Sequence, residues 1–462
     1  MGLLVLNVDH LPPHLLGPYG NTSVPTPTLN AWAARGLTAD AVFHSGWSDS
    51  ENAIGPLHLL RRRADLWLSP SKDGRGVWPR HTFEIESEHN LKWVPVKESR
   101  RLAKNWEGTA LASYLERALS QWTEAALPHH AMVWLDVPLL SGTWDAPLEW
   151  RSYLAGDEDP EVYSELEPPY LVLPGEPRAG LHIDDGFDPD LRMGYEHAAG
   201  SMIMLLDQAC EWLQNCVAAL PGGRDHIIVL TADSGFSLGE HLGIGSFPDR
   251  TWSEETQVPL LLYVGAAAQY PVRIPTVESQ HQLLNRWLTM TKELHTSLYE
   301  SAGRQKSDID YVKLVEQSLP GQPWFRSDAA EGYRRHAVVS QTPNQIAIRT
   351  QCWSFVWKVS QQPQLFVRPD DRFEQNDVVS RCPELVAHIQ WYLPELLAEF
   401  PNSANRQLPE FLFESWCRTC EALAEDGRAP EEADWPTRLH SISNRQLRPL
   451  AELPEILWAE VT

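Results

Sequence analysis

The run Ile227-Ile-Val-Leu230 constrains this chain more than any other stretch. Four branched apolar residues in succession read as a strand buried on both faces, the mark of a parallel sheet covered by helices. The strand ends in Thr231-Ala232-Asp233, and the glycine-bearing stretch Ser234-Gly-Phe-Ser-Leu-Gly-Glu-His241 follows. Leu3 to Val8 repeats the arrangement and stops at Asp9-His10. In open α/β sheets, ligands sit outside the carboxyl ends of the strands. Two such strands, each delivering an aspartate to one edge, can give a hard cation two oxygen ligands from distant sequence.

The remaining periodicity fits that start. Ala31 to Gly36 reads as the close of a helix, with Gly36 just past its last turn. Residues 69–105 read as an irregular excursion with short strands. Gly108 to Glu124 has helical spacing, with Leu111, Leu115 and Leu119 on one face. Ala131 to Asp136 is another buried strand, 141–192 a long surface loop rich in proline and acids, and Met193 to Ala219 the next helix. The alternation predicts an α/β domain over 1–310, with a doubly wound, mostly parallel sheet flanked by helices. Residues 275–300 read as helical. Over 311–395 the runs His336–Ser340, Gln345–Thr350 and Trp353–Lys358 alternate as antiparallel strands do, with a turn at Asp370-Asp-Arg372. They predict a small C-terminal α+β subdomain. Residues 396–462 form a tail with one amphipathic helix near 408–424.

Charge narrows the partners. The formal charge of −24, from 62 acidic against 38 basic residues, argues against nucleic acid or an anionic membrane surface. No run approaches the ~20 apolar residues of a membrane span. The first strand begins at residue 2, so no signal peptide precedes it and the chain reads as cytoplasmic; a misassigned start would hide an export signal. Twenty tryptophans point first to packing. Cys417-Arg-Thr-Cys420 lies on a helical pattern with no second metal-spaced pair, and so reads as two core-facing thiols.

The same residues resemble the sulfatase family, within the wider alkaline-phosphatase superfamily. The strand ending at Asp9-His10, then Gly17-Pro-Tyr-Gly20 and Thr26-Pro-Thr-Leu-Asn-Ala-Trp-Ala-Ala-Arg-Gly36, is similar to the family's opening, which ends in TPNLDRLAARG. Residues 228–241 and Glu254-Glu-Thr-Gln-Val-Pro-Leu-Leu-Leu262 resemble its second metal strand and the segment after it. Leu365-Phe-Val-Arg-Pro-Asp-Asp-Arg-Phe-Glu-Gln-Asn376 resembles its LYDLxxDPxExxN turn. The matches keep the family's order over residues 2–395. The resemblance implies a divalent cation, usually calcium, held at the two strand ends. It also implies a Cys or Ser in CxPSR converted to formylglycine, with lysines and histidines that neutralise the sulfate by positioned charge.

Carried over residue by residue, the metal positions are Asp9, His10, Asp233 and Ser234. Two are altered: His10 stands where a second aspartate is expected, and Ser234 where His or Asn is. A calcium ion takes 6–8 oxygens, so this set predicts a severe drop in calcium affinity, with a divalent cation, calcium or zinc, bound only if the site is retained. Asp9 and Asp233 also read as polar strand ends capped by local amides. The nucleophile segment is Phe43-His-Ser-Gly-Trp-Ser-Asp-Ser-Glu-Asn-Ala53. No cysteine precedes Cys210, which excludes a Cys-derived formylglycine. Ser48 and Ser50 remain as candidate serine nucleophiles, or as an ordinary turn. No lysine lies between Lys104 and Lys292 and no histidine between His130 and His182, so two cations that the resemblance implies are missing. His44, His241 and Arg250 are further cleft candidates; Arg250 reads either as an anion binder or as a surface partner of Glu254 or Glu255.

These readings predict a sulfatase-like protein with a degenerate site. It would lack sulfuric ester hydrolase activity and keep the fold as a binding scaffold for a sulfated or phosphorylated small molecule or glycan. The alternative is a divergent metal-dependent sulfate or phosphate ester hydrolase. It would use Asp9, His10, Asp233 and His44 or His241 around zinc, with Ser48 or Ser50 attacking. A third reading is a structural role in an assembly, through a Trp-rich surface and the acidic 141–192 loop.

Overall fold

Leu3–His10 is buried at every position, as a strand must be when helices cover both faces of its sheet. The computed structural model describes residues 2–45, 56–70, 90–96, 101–128, 130–156, 159, 180–220, 226–247, 249–265, 271–300, 337–342, 344–358, 361–398, 410–429 and 455–457. The chain runs through β1 (Leu3–His10), α1 (Pro27–Ala33), β2 (Gly36–Phe43), α2 (Pro56–Arg61), β3 (Leu66–Ser69) and β4 (Leu91–Trp93). It continues through α3 (Ala110–Glu124), β5 (Met132–Val137), α4 (Leu148–Leu154), β6 (Leu181–His182), α5 (Pro189–Ala219) and β7 (Ile227–Ser234). Next come β8 (Ser237–Leu238), β9 (Gly243–Gly245), α6 (Ser253–Thr256), β10 (Gln257–Val264), β11 (Val272–Ser279) and α7 (Gln280–Glu300). The last elements are β12 (Val338–Gln341), β13 (Gln345–Arg349), β14 (Trp353–Lys358), β15 (Gln364–Val367), α8 (Pro383–Trp391), α9 (Leu393–Ala398) and α10 (Glu410–Glu425).

The main sheet is ordered β11-β2-β10-β7-β1-β5-β3-β4. β1 lies parallel to both β5 and β7, β3 lies parallel to β5 and β4, and β10 is antiparallel to β7 and β2. The sheet is therefore mostly parallel and doubly wound, as the sequence predicts. Asn7 pairs in register with Asp136 on one side and Thr231 on the other, so the carboxyl ends of β1, β5 and β7 meet at one edge. A separate four-stranded antiparallel sheet, β12-β13-β14-β15, has its own core, in which Trp353 and Trp357 pack with Trp391 and Trp416. Cys420 is fully buried there and Cys417 packs against it, as core-facing thiols do. Among the described residues no helix is long and apolar enough to cross a membrane.

Three sequence expectations need correction. Gly36 opens β2 instead of capping a helix: a Cβ there would lie 1.9 Å from the Leu262 carbonyl oxygen, so close strand approach demands the glycine. Residues 272–279 form β11 before the helix begins at Gln280. Pro275 is tolerated because β11 is an edge strand, where a missing N–H leaves no ladder bond unmade. The loop over 141–192 is interrupted by α4, whose Arg151 is fully buried and donates to the Trp144 carbonyl at 2.8 Å; residues 160–179 lie outside the described set. Among the described residues Trp32, Trp67, Trp134, Trp287, Trp391 and Trp416 are fully buried, as packing requires, and Trp93 is exposed.

Candidate functional site

Asp9 leaves β1 at the sheet edge and meets the turn that follows β5. Its Oδ1 accepts from the amides of His10 (2.6 Å), Leu139 (3.0 Å) and Leu140 (3.3 Å). Its Oδ2 accepts from the Ser141 amide at 3.1 Å and from the Ser141 hydroxyl. Five donors saturate one carboxylate. Burial still pushes its pKa up to about 6, against the pull of those hydrogen bonds. Asp9 therefore anchors the 139–141 turn, which matches the reading of a strand end capped by local amides.

Asp233 and Asp136 share a different partner. Arg61, the last residue of α2, reaches between them: Nη2 donates to Asp233 Oδ1 at 2.5 Å, and Nε lies 3.2 Å from Asp136 Oδ1 as an ionic contact. The guanidinium is buried and sits between the indoles of Trp67 and Trp134, 5.8 and 5.7 Å from their centroids. Asp136 also accepts from Trp67 Nε1 (2.7 Å), Trp134 Nε1 (2.9 Å) and Asn7 Nδ2 (3.1 Å). Burial works against the charge on Arg61, and the two carboxylates outweigh it, so its pKa rises. Burial likewise pushes Asp233 up, with Arg61 pulling the other way.

The other candidates are dispersed. His10 Nδ1 bonds the Ser234 hydroxyl across β1 and β7, and its ring tilts against Phe236. His44 Nε2 faces the Glu255 carbonyl oxygen at 3.1 Å, and burial lowers its pKa to about 4, which keeps the ring neutral. His241 lies in the left-handed region at φ 45° and is held there from three sides. Nδ1 meets Glu254 Oε1 at 2.6 Å, Nε2 meets the Glu374 carbonyl at 3.0 Å, and the ring stacks on Trp252 at 3.9 Å. Arg250 lies over the Phe247 ring at 3.8 Å and donates to the His241 carbonyl at 3.2 Å. The expected surface pairing of Arg250 with Glu254 or Glu255 fails because both glutamates are buried. Glu255 accepts from Ser237 Oγ at 2.7 Å and the Phe247 amide at 3.1 Å, and burial pushes its pKa up to about 8. Ser48 and Ser50 lie outside the described residues.

The donor set does not fit a divalent cation. Calcium needs six or more free oxygens and zinc four converging ligands. Here the Asp9 oxygens are filled by amides and a hydroxyl, and Asp233 Oδ1 holds a guanidinium. His10 points its Nδ1 at Ser234, while His44 and His241 engage other partners. Among the described residues no group of three or more His, Cys, Asp or Glu side chains is arranged to hold a metal.

The overall architecture is similar to that of several solved structures. The phosphonate monoester hydrolase of Agrobacterium radiobacter is similar over 86% of this chain and 95% of its own, with TM-score 0.59 and 12% identity. A 2-O GAG sulfatase is similar over 89% and 97%, with TM-score 0.56 and 12% identity. A protein solved with its substrate D-glucosamine-2-N,6-O-disulfate is similar over 82% and 94%, with TM-score 0.51 and 11% identity. The chain has the sulfatase fold. Sequence comparison finds no matching family model and no matching curated protein.

Within this sulfatase-like fold, sequence reasoning missed Arg61 and the role of Asp136. Asp136 had a visible signal, since it ends an apolar run just as Asp9 and Asp233 do. Arg61 had none: it stands first in Arg61-Arg62-Arg63, which reads as a solvated basic stretch.

Proposed function

We propose that this sulfatase-like protein lacks sulfuric ester hydrolase activity and uses the fold as a binding scaffold for a sulfated or phosphorylated small molecule or glycan. The observation that carries the reading is the Arg61 guanidinium bridging Asp136 and Asp233 beside a saturated Asp9. A positive charge built into the chain neutralises the edge where the resemblance implies a metal. The sequence supports the same reading, because the CxPSR element, the second aspartate and the lysine of the later segment are all absent. Each such group contributes on the order of 10²-fold or more to a hydrolase of this type, and several lost together leave little rate. The alternative, a zinc-dependent ester hydrolase built on His10, His44 and His241, requires those rings to converge with Asp9 and Asp233. Their present partners, Ser234, the Glu255 carbonyl and Glu254, do not support it.

The test is metal content and aryl sulfate and aryl phosphate turnover of purified wild type and Asp9→Ala. The expected outcome is no stoichiometric calcium or zinc and no metal-dependent turnover in either. Stoichiometric metal in wild type that disappears in Asp9→Ala, together with turnover, would overturn the proposal.

A further inference from the structure

A cavity of about 310 Å³ opens between the main sheet and the segment that follows β15. It shares none of Asp9, Asp136, Asp233 or Arg61. Arg368 lines it, only 8% exposed, and neither Nε nor Nη1 has a hydrogen-bond partner. The guanidinium lies 4.9 Å from the centre of the Phe43 ring, and Arg349 lies 4.6 Å from the same ring. Two buried arginines therefore stand beside one carboxylate, Glu374, and that carboxylate is spoken for. Arg349 binds it through Nε (2.8 Å) and Nη2 (3.0 Å), and the Ser354 hydroxyl and the Ser253 amide fill the rest. The acids on the cavity wall are also engaged: Glu254 with His241 at 2.6 Å and Asp40 with Arg273 at 2.5 Å. Arg372 adds a second, exposed cation on the lining, over the Phe373 ring at 4.6 Å.

Burial pulls the Arg368 pKa down to about 10, helped by the repulsion of Arg349, which leaves the group charged at neutral pH. A buried charge with unmade hydrogen bonds is costly, and although Nε and Nη1 are themselves closed off from the cavity, the planar guanidinium on its wall matches the geometry of an oxyanion. We propose that this cavity is an oxyanion-binding site in which Arg368 engages the sulfate, phosphate or carboxylate group of a small molecule. The apolar part of that molecule rests on Pro13, Val277 and Phe373. The site stands whether or not the strand edge has lost its chemistry, since no residue of that edge takes part.

Calorimetric titration at constant ionic strength tests it, with benzenesulfonate, phenylphosphonate and benzoate as probes and benzyl alcohol as the neutral control. None of the anions can be hydrolysed, so the outcome is separate from any turnover. Wild type is expected to bind at least one anion saturably and the alcohol not at all. Arg368→Met should weaken that binding at least about tenfold, the size of a lost charge-assisted hydrogen bond, while its melting temperature without ligand stays level or rises. Arg372→Gln should weaken binding by a smaller factor, and it keeps the test alive if Arg368→Met does not fold. No saturable binding of any anion by wild type, or unchanged affinity in Arg368→Met, would overturn the site. So would unchanged affinity in Arg372→Gln where Arg368→Met cannot be purified.

Discussion

The strand edge and the Arg368 cavity treat charge in opposite ways. At the edge, each aspartate has found a partner inside the chain: Asp9 in the 139–141 turn, Asp136 and Asp233 in Arg61. Behind the cavity wall, Arg349 claims Glu374 and leaves Nε and Nη1 of Arg368 with unmade bonds. Resemblance to sulfatases directs attention to the first region. Hydrogen-bond accounting directs it to the second, because a buried polar group without a partner is what a ligand can satisfy.

Breaking the edge should have the largest effect. Arg61→Met leaves two carboxylates buried without their cation, which should cost about 3–5 kcal/mol of stability. Urea denaturation measures it, and the loss should be greater at pH 8 than at pH 5, because Asp233 can take up a proton at the lower pH. A loss under about 1 kcal/mol at both would mean that Arg61 does not hold the edge together, and the contrast with the cavity would collapse.

Glu255 sharpens the contrast through pH. Its pKa is about 8 in the fold against an ordinary 4.5, so the folded state binds more protons than the unfolded state between those values. Stability from this group is complete below about pH 4.5 and is lost as the pH rises through about 8, on the order of a few kcal/mol in total. Asp9 and Asp145, both raised to about 6, add the same sign at lower pH. Glu255→Gln should therefore flatten the fall in stability between pH 6 and 8 and reduce it below pH 6 to the share that Asp9 and Asp145 contribute. A melting-temperature profile with the same slope in both proteins would contradict this assignment. The smallest effect belongs to Arg250→Ala. It removes a partly exposed stack on Phe247, worth about 0.5–1 kcal/mol, and should not change anion binding in the cavity.

Much of the scaffold was legible because burial on both faces leaves a plain mark. Leu3–Val8, Ala131–Leu135 and Ile227–Leu230 could only be central strands, and each ends in a carboxylate at the sheet edge. The antiparallel subdomain was legible from alternation over β12 to β14. β15 is hidden in the sequence, because Leu365-Phe-Val367 reads as part of a turn-like motif. Gly36 misled because a glycine demanded by close strand approach looks the same in sequence as one that ends a helix.

The candidate site was half legible. Sequence alone determined which aspartates reach the edge of the sheet and that no cysteine precedes Cys210. Both follow from local pattern: strand period fixes where a carboxylate emerges, and an absent residue is absent whatever the fold. Only the tertiary structure decided that Arg61, among three adjacent arginines, turns inward between Trp67 and Trp134 to neutralise Asp136 and Asp233. Only it decided that Arg349 takes Glu374 and leaves Nε and Nη1 of Arg368 without a hydrogen bond. Those outcomes depend on which distant side chain comes within hydrogen-bond reach, between residues as far apart as 61 and 233, and no local pattern carries that information.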